Sequence, residues 1–222
     1  MSTDTIHTDA LASGALSRKP LQGRSLASFE RMLEATKALM LETGGDAFTL
    51  QDVSERGQVS IGSIYLRFES KDRLLHAVIA EELKNVIRLE QAMLTETIAE
   101  SPTLGEFLPR YIERYSSFLK IHAPLLRTIM QRAAVDPAVS EPGKETARRS
   151  ATLSIEAILT YRDEIKSPDA ADRAHAVFQI VFATIARQFG LGSSPESGDP
   201  AVWEFMKDEL SKMALAYLRH AD

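Results

Sequence analysis

The run Ser60-Ile61-Gly62-Ser63-Ile64-Tyr65-Leu66-Arg67-Phe68 gathers hydroxyls, a phenol and a guanidinium within nine residues. If it is helical, Ile64 and Phe68 form an inward pair four apart, leaving Ile61, Ser63 and Arg67 outward with Tyr65 near the edge. Such a face can hydrogen-bond base edges and set a cation against phosphate. It needs a second element to hold it at a fixed angle, and the preceding residues supply one. Thr49 stands three residues before Asp52, a capping box for a helix through about Arg56. Gly57 is expected in the left-handed conformation that ends that helix. Ser60 then caps the second helix, and Val53 and Val59 pack across the turn. Two helices around a short glycine-containing turn, the second with a polar outward face, describe a helix-turn-helix.

The pattern Gly57-x-Val59-Ser60-x-Gly62-x-Ile64-Tyr65-x-x-Phe68-x-Ser70-Lys71-x-x-Leu74-Leu75 resembles the N-terminal domain of the TetR family of bacterial transcription regulators. In that family V-S-x-G-x-x-Y-x-x-F precedes S-K-x-x-L-L at the start of a long fourth helix. The preceding helix also fits, with Phe29, Met32, Leu33, Thr36, Leu39 and Met40 at helical spacing and Gly44-Gly45 at its end. The resemblance covers about residues 25–80. It implies phosphate contacts for Thr49, Ser60, Tyr65 and Lys71, near helix starts whose dipole favours an anion. It also implies base reading by Gln51, Ile61, Ser63 and Arg67. Gln pairs with adenine, Arg with guanine, and Ile packs on a thymine methyl. Gly62 would allow close approach of the backbone. Each residue has a structural alternative: Tyr65 packing its ring under the motif, Ser60 and Lys71 as plain helix-end residues, Gly62 as a packing requirement.

Composition narrows the class. A chain of 222 residues has ample core, and 44% hydrophobic with 26% charged residues is a globular balance. Cysteine is absent, which excludes disulfides, thiolate metal sites and cysteine nucleophiles. No apolar run approaches the roughly 20 residues of a membrane span, and the N-terminus is a poor secretory signal, so a cytoplasmic protein is expected. The net charge of −5 argues against a protein that coats nucleic acid. Residues 18–75 carry nine Lys or Arg against eight Asp or Glu, whereas residues 76–222 carry seventeen against twenty-one. The basic groups Arg18, Lys19, Arg24, Arg67, Lys71 and Arg73 fall in or just before the motif.

The expected fold is all-α: an N-terminal three-helix helix-turn-helix DNA-binding domain followed by a larger helical ligand-binding and dimerisation domain. Residues 1–23 read as a disordered arm, 24–72 as the DNA-binding domain and 73–222 as the rest. Helices are expected at about 25–43, 49–56, 60–67 and 71–95. After Ser101-Pro102-Thr103 another begins, kinked or delayed by Pro109, and a separate one runs from about 124 to 134. Three more follow, at about 142–165, from Ser167-Pro168 to about 189, and at 200–220 after a breaker-rich loop at 190–198.

On the later helices Phe107, Tyr111, Tyr115, Phe118, Arg127, Met130, His175, Phe178 and Phe182 are aromatic, soft or singly polar. In the family, C-terminal helices enclose a small-molecule pocket, so these are candidate ligand contacts, with ordinary core as the alternative. Val177, Val181 and Ile185 on one helix, and Val202, Met206, Leu210, Met213 and Tyr217 on the last, form broad apolar stripes. Family resemblance makes them a homodimer interface; burial within one chain is the alternative. His122 and His175 lack metal-pair spacing. No nucleophile–base pair, phosphate loop or cofactor motif is visible, so no enzyme is expected.

The implied function is a homodimeric transcriptional regulator, a repressor held on double-stranded operator DNA and released by a small apolar or aromatic effector. The competing reading is an all-helical interaction protein of the same fold acting through protein partners.

Overall fold

Every regular element among the described residues is helical. The computed structural model describes residues 8, 11–12, 14–15, 24–192 and 199–221. In chain order the helices are α1 (Arg24–Thr43), α2 (Leu50–Gly57), α3 (Ile61–Tyr65), α4 (Lys71–Ala99), α5 (Leu104–Ala133), α6 (Pro137–Leu159), a 3-10 turn (Arg162–Glu164), α7 (Ala170–Gln188) and α8 (Pro200–Arg219). The fold is all-α. Contacts divide the chain into two compact units, Met1–Val86 with Pro124–Thr146, and Ile87–Ala123 with Ala147–Asp222. Helices α4, α5 and α6 contribute residues to both. Arg18, Lys19 and most of the loop expected at 190–198 lie outside the described residues.

In the first unit the capping box forms. The Thr49 amide donates to Asp52 Oδ2 at 2.7 Å, and the Asp52 amide donates to Thr49 Oγ1 at 3.1 Å. The bond from the Thr49 amide, with a second from the Thr49 hydroxyl to the same oxygen at 2.8 Å, holds the Asp52 carboxyl below its usual range. The end of α2 differs from expectation. Gly57 is its last helical residue, and Gln58 takes the left-handed conformation, at φ 49°. Gly57 answers to packing instead: a Cβ there would lie 3.1 Å from the Arg31 carbonyl oxygen and 3.3 Å from Ala35 Cβ. Its missing side chain lets α1 and α2 close together.

Met32, Val53, Ile64 and Phe68 have no exposed surface, and Phe29 stacks on Phe68 with ring centroids 6.0 Å apart. This core runs past residue 72, taking in Leu74, Leu75, Val78 and Ile79 of α4, Leu125 and Ile129 of α5, and Val139 of α6. Leu11 and Ala15 belong to it as well. The arm expected to be disordered is therefore helical where it is described, because Leu11 and Ala15, four apart, share one helix face and bury it.

One cation ties several of these segments. Arg132 donates to Asp46 Oδ2 at 2.9 Å, Asp72 Oδ1 at 3.0 Å and Asp136 Oδ2 at 3.0 Å. His76 Nε2 lies 2.7 Å from the same Asp136 oxygen. Burial pushes Asp136 up, but the hydrogen bonds from His76 and Arg132 outweigh it and hold its carboxyl below the usual range.

The prolines do not divide the chain as expected. Helix α5 runs 30 residues through both Pro109 and Pro124, and α6 starts at Pro137, not near residue 142. Both α5 prolines are exposed, so the carbonyls they leave unpaired can face water. An interior proline costs about 3 kcal/mol. Burial of Phe107, Leu108, Tyr111, Ile112 and Tyr115 at about 1.5–3 kcal/mol each outweighs two of them. Asp136 ends α5 and caps α6, accepting the Ala138 amide at 3.0 Å, so the expected stop also serves as a start.

Candidate functional site

Helix α3 is one and a half turns long, and its length decides what it presents. Ser60 caps it, accepting the Ser63 amide at 3.2 Å, and the two serine hydroxyls pair at 2.7 Å. Tyr65 is exposed, as is Leu66, which the sequence reading did not single out. Ile61 is half-buried against the core. Gly62 is exposed, and a Cβ built on it would meet nothing within 4 Å. Packing within the chain therefore does not require glycine there. On α2, Gln51 and Thr49 are exposed, Gln51 Nε2 donating to Glu55 Oε1 at 3.0 Å.

Arg67 is not outward. It is 7% exposed, and its guanidinium donates to the Ser25 carbonyl at 3.0 Å and to the Ser25 hydroxyl at 3.1 Å. The outward expectation assumed helix through residue 67, whereas α3 ends at Tyr65. The turn that follows rotates Arg67 inward and Leu66 outward, so Arg67 ties α3 to α1. Lys71 Nζ donates to the Asp46 carbonyl at 2.6 Å and the Phe48 carbonyl at 3.0 Å, 5.2 Å over the Phe48 ring. Two of its three N–H groups thus hold the loop before α2.

Within the second unit, Phe107, Tyr111, Tyr115 and Phe118 form a continuous ladder, with successive centroids 5.5, 5.3 and 6.4 Å apart. Tyr161 joins at one end, 5.0 Å from Phe107, and His122 at the other, 4.5 Å from Phe118. Arg127 and Met130 belong to the first unit, and Met130 is exposed. His175 is exposed and paired with Gln179 at 3.1 Å, while Phe178 is buried and stacked on Phe182. Of the nine candidate ligand residues, four form the ladder.

Beside the ladder lies a polar group absent from the sequence candidates. Glu90 of α4 is 1% exposed, and its Oε1 accepts from Ser150 Oγ at 2.7 Å and from Ser154 Oγ at 3.5 Å. The Tyr115 hydroxyl lies 3.4 Å from Ser150 Oγ. Glu90 Oε2 and the Tyr111 hydroxyl are buried with no hydrogen-bond partner. Its sequence signal was Glu90's place in the stripe Ile79, Leu83, Val86, Glu90, Leu94, where every other member is aliphatic.

Burial raises the Glu90 carboxyl to about 7, against the smaller lowering by its two serine bonds. Between the ordinary glutamate range and pH 7 the folded protein thus keeps a proton that the unfolded chain has lost. Stability falls as pH rises through that window and levels off above it. At about 1.4 kcal/mol per pH unit, the loss is roughly 3 kcal/mol by pH 8. Glu90→Gln should remove it. By urea unfolding, the variant is expected to exceed the parent by about 2–3 kcal/mol at pH 8 and to match it near pH 5.

The dimer candidates divide by exposure. Val177, Val181, Ile185 and Leu210 are buried in the core of a single chain, so they are not free to meet a partner. Val202, Met206, Met213 and Tyr217 are exposed, together with Ile180 and Phe205, which the stripes did not include. A hollow of about 460 Å³ lies among them, lined by Ala183, Arg187, Val202, Trp203 and Met206 among others. No described helix is long and apolar enough to cross a membrane.

Residues 32–78 match the bacterial regulatory proteins of the tetR family. Over this segment the chain is similar to the N-terminal domain of that family. Its similarity to the HTH-type transcriptional repressor KstR of Rhodococcus jostii (strain RHA1) is 37% identity over 96 residues, 36% of this chain and 45% of that protein. The chain thus spans less than half the length of this curated relative. Among solved structures, a Mesorhizobium loti protein assigned to the TetR-family transcriptional regulators superposes with a TM-score of 0.68 at 18% identity, covering 89% of this chain and 96% of the other. Salmonella enterica GusR gives 0.60 at 17% identity, over 91% and 100%. The fatty acid degradation regulator FadR of Bacillus halodurans gives 0.59 at 13%, over 90% and 99%. At these identities the likeness is one of fold. All three match about nine-tenths of this chain.

Proposed function

We infer that this chain is a TetR-family regulator, a cytoplasmic DNA-binding transcriptional repressor that acts as a homodimer on a two-fold operator and is released by a small apolar or aromatic effector. Residues 24–72 are the DNA-binding domain and 73–222 carry ligand binding and dimerisation. The observation that carries the reading is the α3 surface: Gly62 with open space at its Cβ, next to Ser60 and the exposed Tyr65. A backbone left bare for no internal reason suits close approach to a duplex groove. Thr49, Ser60 and Tyr65 supply hydroxyls for phosphate, and Lys71 has one N–H left beyond its two carbonyls. Gln51, Ile61, Ser63 and Leu66 are the groups placed to meet base edges.

Repression and release follow from linkage. An effector that binds the DNA-incompetent arrangement more tightly draws the population toward it, and operator DNA weakens effector binding by the same factor. KstR is named a transcriptional repressor, which supports that direction here.

A mobility shift against the DNA upstream of the chain's own gene, with excess nonspecific competitor, tests the reading. Tyr65→Ala should weaken binding on every sequence alike. Lys71→Ala should do so and lower the salt slope by about one. Binding no tighter to the upstream DNA than to competitor would refute a specific regulator.

A further inference from the structure

In a folded interior nearly every buried polar atom has a partner. Among the described residues the second unit holds two exceptions beside the same ring ladder, Glu90 Oε2 and the Tyr111 hydroxyl, the latter with Ser154 near it but short of hydrogen-bond geometry. Glu90 is also a buried acid whose partners are two serine hydroxyls, and among the described residues no cation stands against it. The missing partner should therefore bring hydrogen-bond donors. To offset the burial of a carboxylate it should also bring positive charge. Alongside Glu90 and the two serines runs the ring ladder, which welcomes hydrocarbon and, at ring faces, an organic cation.

The geometry points to an apolar amine as the molecule held in the second unit, its ammonium set between Glu90 Oε2 and the Tyr111 hydroxyl and its hydrocarbon part along the ring ladder. This rests on the reading that an effector binds within that unit. The hydrocarbon would reach the surface at the outer end of the ladder, where His122 is only half-buried against Phe118. The rival occupant is a buried water bonded to both orphan atoms, which would need neither charge nor hydrocarbon.

The two occupants differ in their response to pH. An ammonium requires Glu90 as carboxylate, so binding the amine releases a proton wherever the empty site holds one. The groups facing Glu90 are Ser150 and Ser154 from α6 and Tyr111 and Tyr115 from α5. Burial, with the Glu90 charge adding to it, pushes both tyrosines up, so neither ionises between pH 6 and 8. Glu90 is then the group facing the ammonium that sets the dependence, with His122 beyond Tyr115 and Phe118 at the outer end of the ladder.

Three matched probes separate the possibilities: 4-phenylbutylamine, 4-phenylbutanol and 4-phenylbutyrate, titrated calorimetrically into the full chain. The amine is expected to bind at least tenfold more tightly than the other two at pH 8, and about tenfold more weakly at pH 6. Glu90→Gln, whose fold is checked by its melting curve, should lose the preference for amine. Tyr111→Phe should weaken it severalfold. Equal binding of the alcohol or acid, amine affinity unchanged in Glu90→Gln, or no binding of any probe would overturn the amine assignment. The same probes in the mobility shift keep the two readings apart. If the alcohol or acid binds and releases DNA, the effector reading stands and the amine falls. If the amine binds through Glu90 yet leaves DNA bound, the amine site stands and its effector role falls.

Discussion

Gly62→Gln is expected to keep the melting temperature of the parent and to lose operator DNA by about a hundredfold or more. The two halves of that result come from different surroundings of one atom. Inside the chain a Cβ at residue 62 meets nothing within 4 Å, so the new side chain displaces no neighbour. Exchanging glycine for a better helix former gains at most about 1 kcal/mol. Toward the groove, a five-heavy-atom side chain ending in an amide would hold α3 away from the duplex. Contacts from Ser60, Ser63 and Tyr65 would lengthen together, and each specific base contact is worth about 1–3 kcal/mol. Losing two or more gives roughly 3 kcal/mol, hence about a hundredfold. Gly57→Ala is the control of opposite sign. It should lower the melting temperature through the Arg31 carbonyl 3.1 Å away, with DNA affinity changing only as folding does. Should Gly62→Gln bind operator as the parent does, α3 is not the element in the groove.

These glycines also mark what was legible in the sequence. Local devices were: the Thr49–Asp52 capping box, the Ser60 cap and the inward pair Ile64 and Phe68 depend on residues within four of one another. Failures began where a position depended on an element's exact end or on a distant segment. Arg67 reads as outward on a helix through residue 67, yet α3 ends two residues earlier and the guanidinium turns to Ser25, 42 positions away. Pro109 reads as a kink or a late start and Pro124 as the first turn of a new helix, because the burial that carries α5 through them is tertiary. Glu90 was visible as an acid in an aliphatic stripe, but its serine partners lie 60 and 64 residues further on. For the last two helices, periodicity reports how wide an apolar arc is and says nothing of what covers it. Val181 and Met206 look alike in sequence; one is 1% exposed and the other 42%.

That difference sets the second large effect: Phe205→Asp is expected to yield a folded monomer that no longer holds operator DNA. Phe205 is 60% exposed in the single chain, with Met213 at 65% and Val202 at 57% on the same helix. A carboxylate at an exposed position costs a lone chain little, within about 0.5 kcal/mol. At a two-fold interface each substitution counts twice, because the same residue appears on both sides. Losing two partly buried rings at about 1.5–3 kcal/mol apiece, and desolvating two carboxylates in their place, gives roughly 4–6 kcal/mol. That is three or more powers of ten in the dimer Kd. DNA affinity should fall with it, since a monomer meets one half-site and forfeits the joint engagement of two. Val181→Asp cannot make this distinction, for it buries a charge in the core of one chain and should simply unfold the protein. Sedimentation at micromolar concentration together with a melting curve reads both properties. A Phe205→Asp protein that sediments as the parent does would place the dimer contact away from α8. One that is monomeric yet retains operator affinity would mean that a single copy suffices for binding.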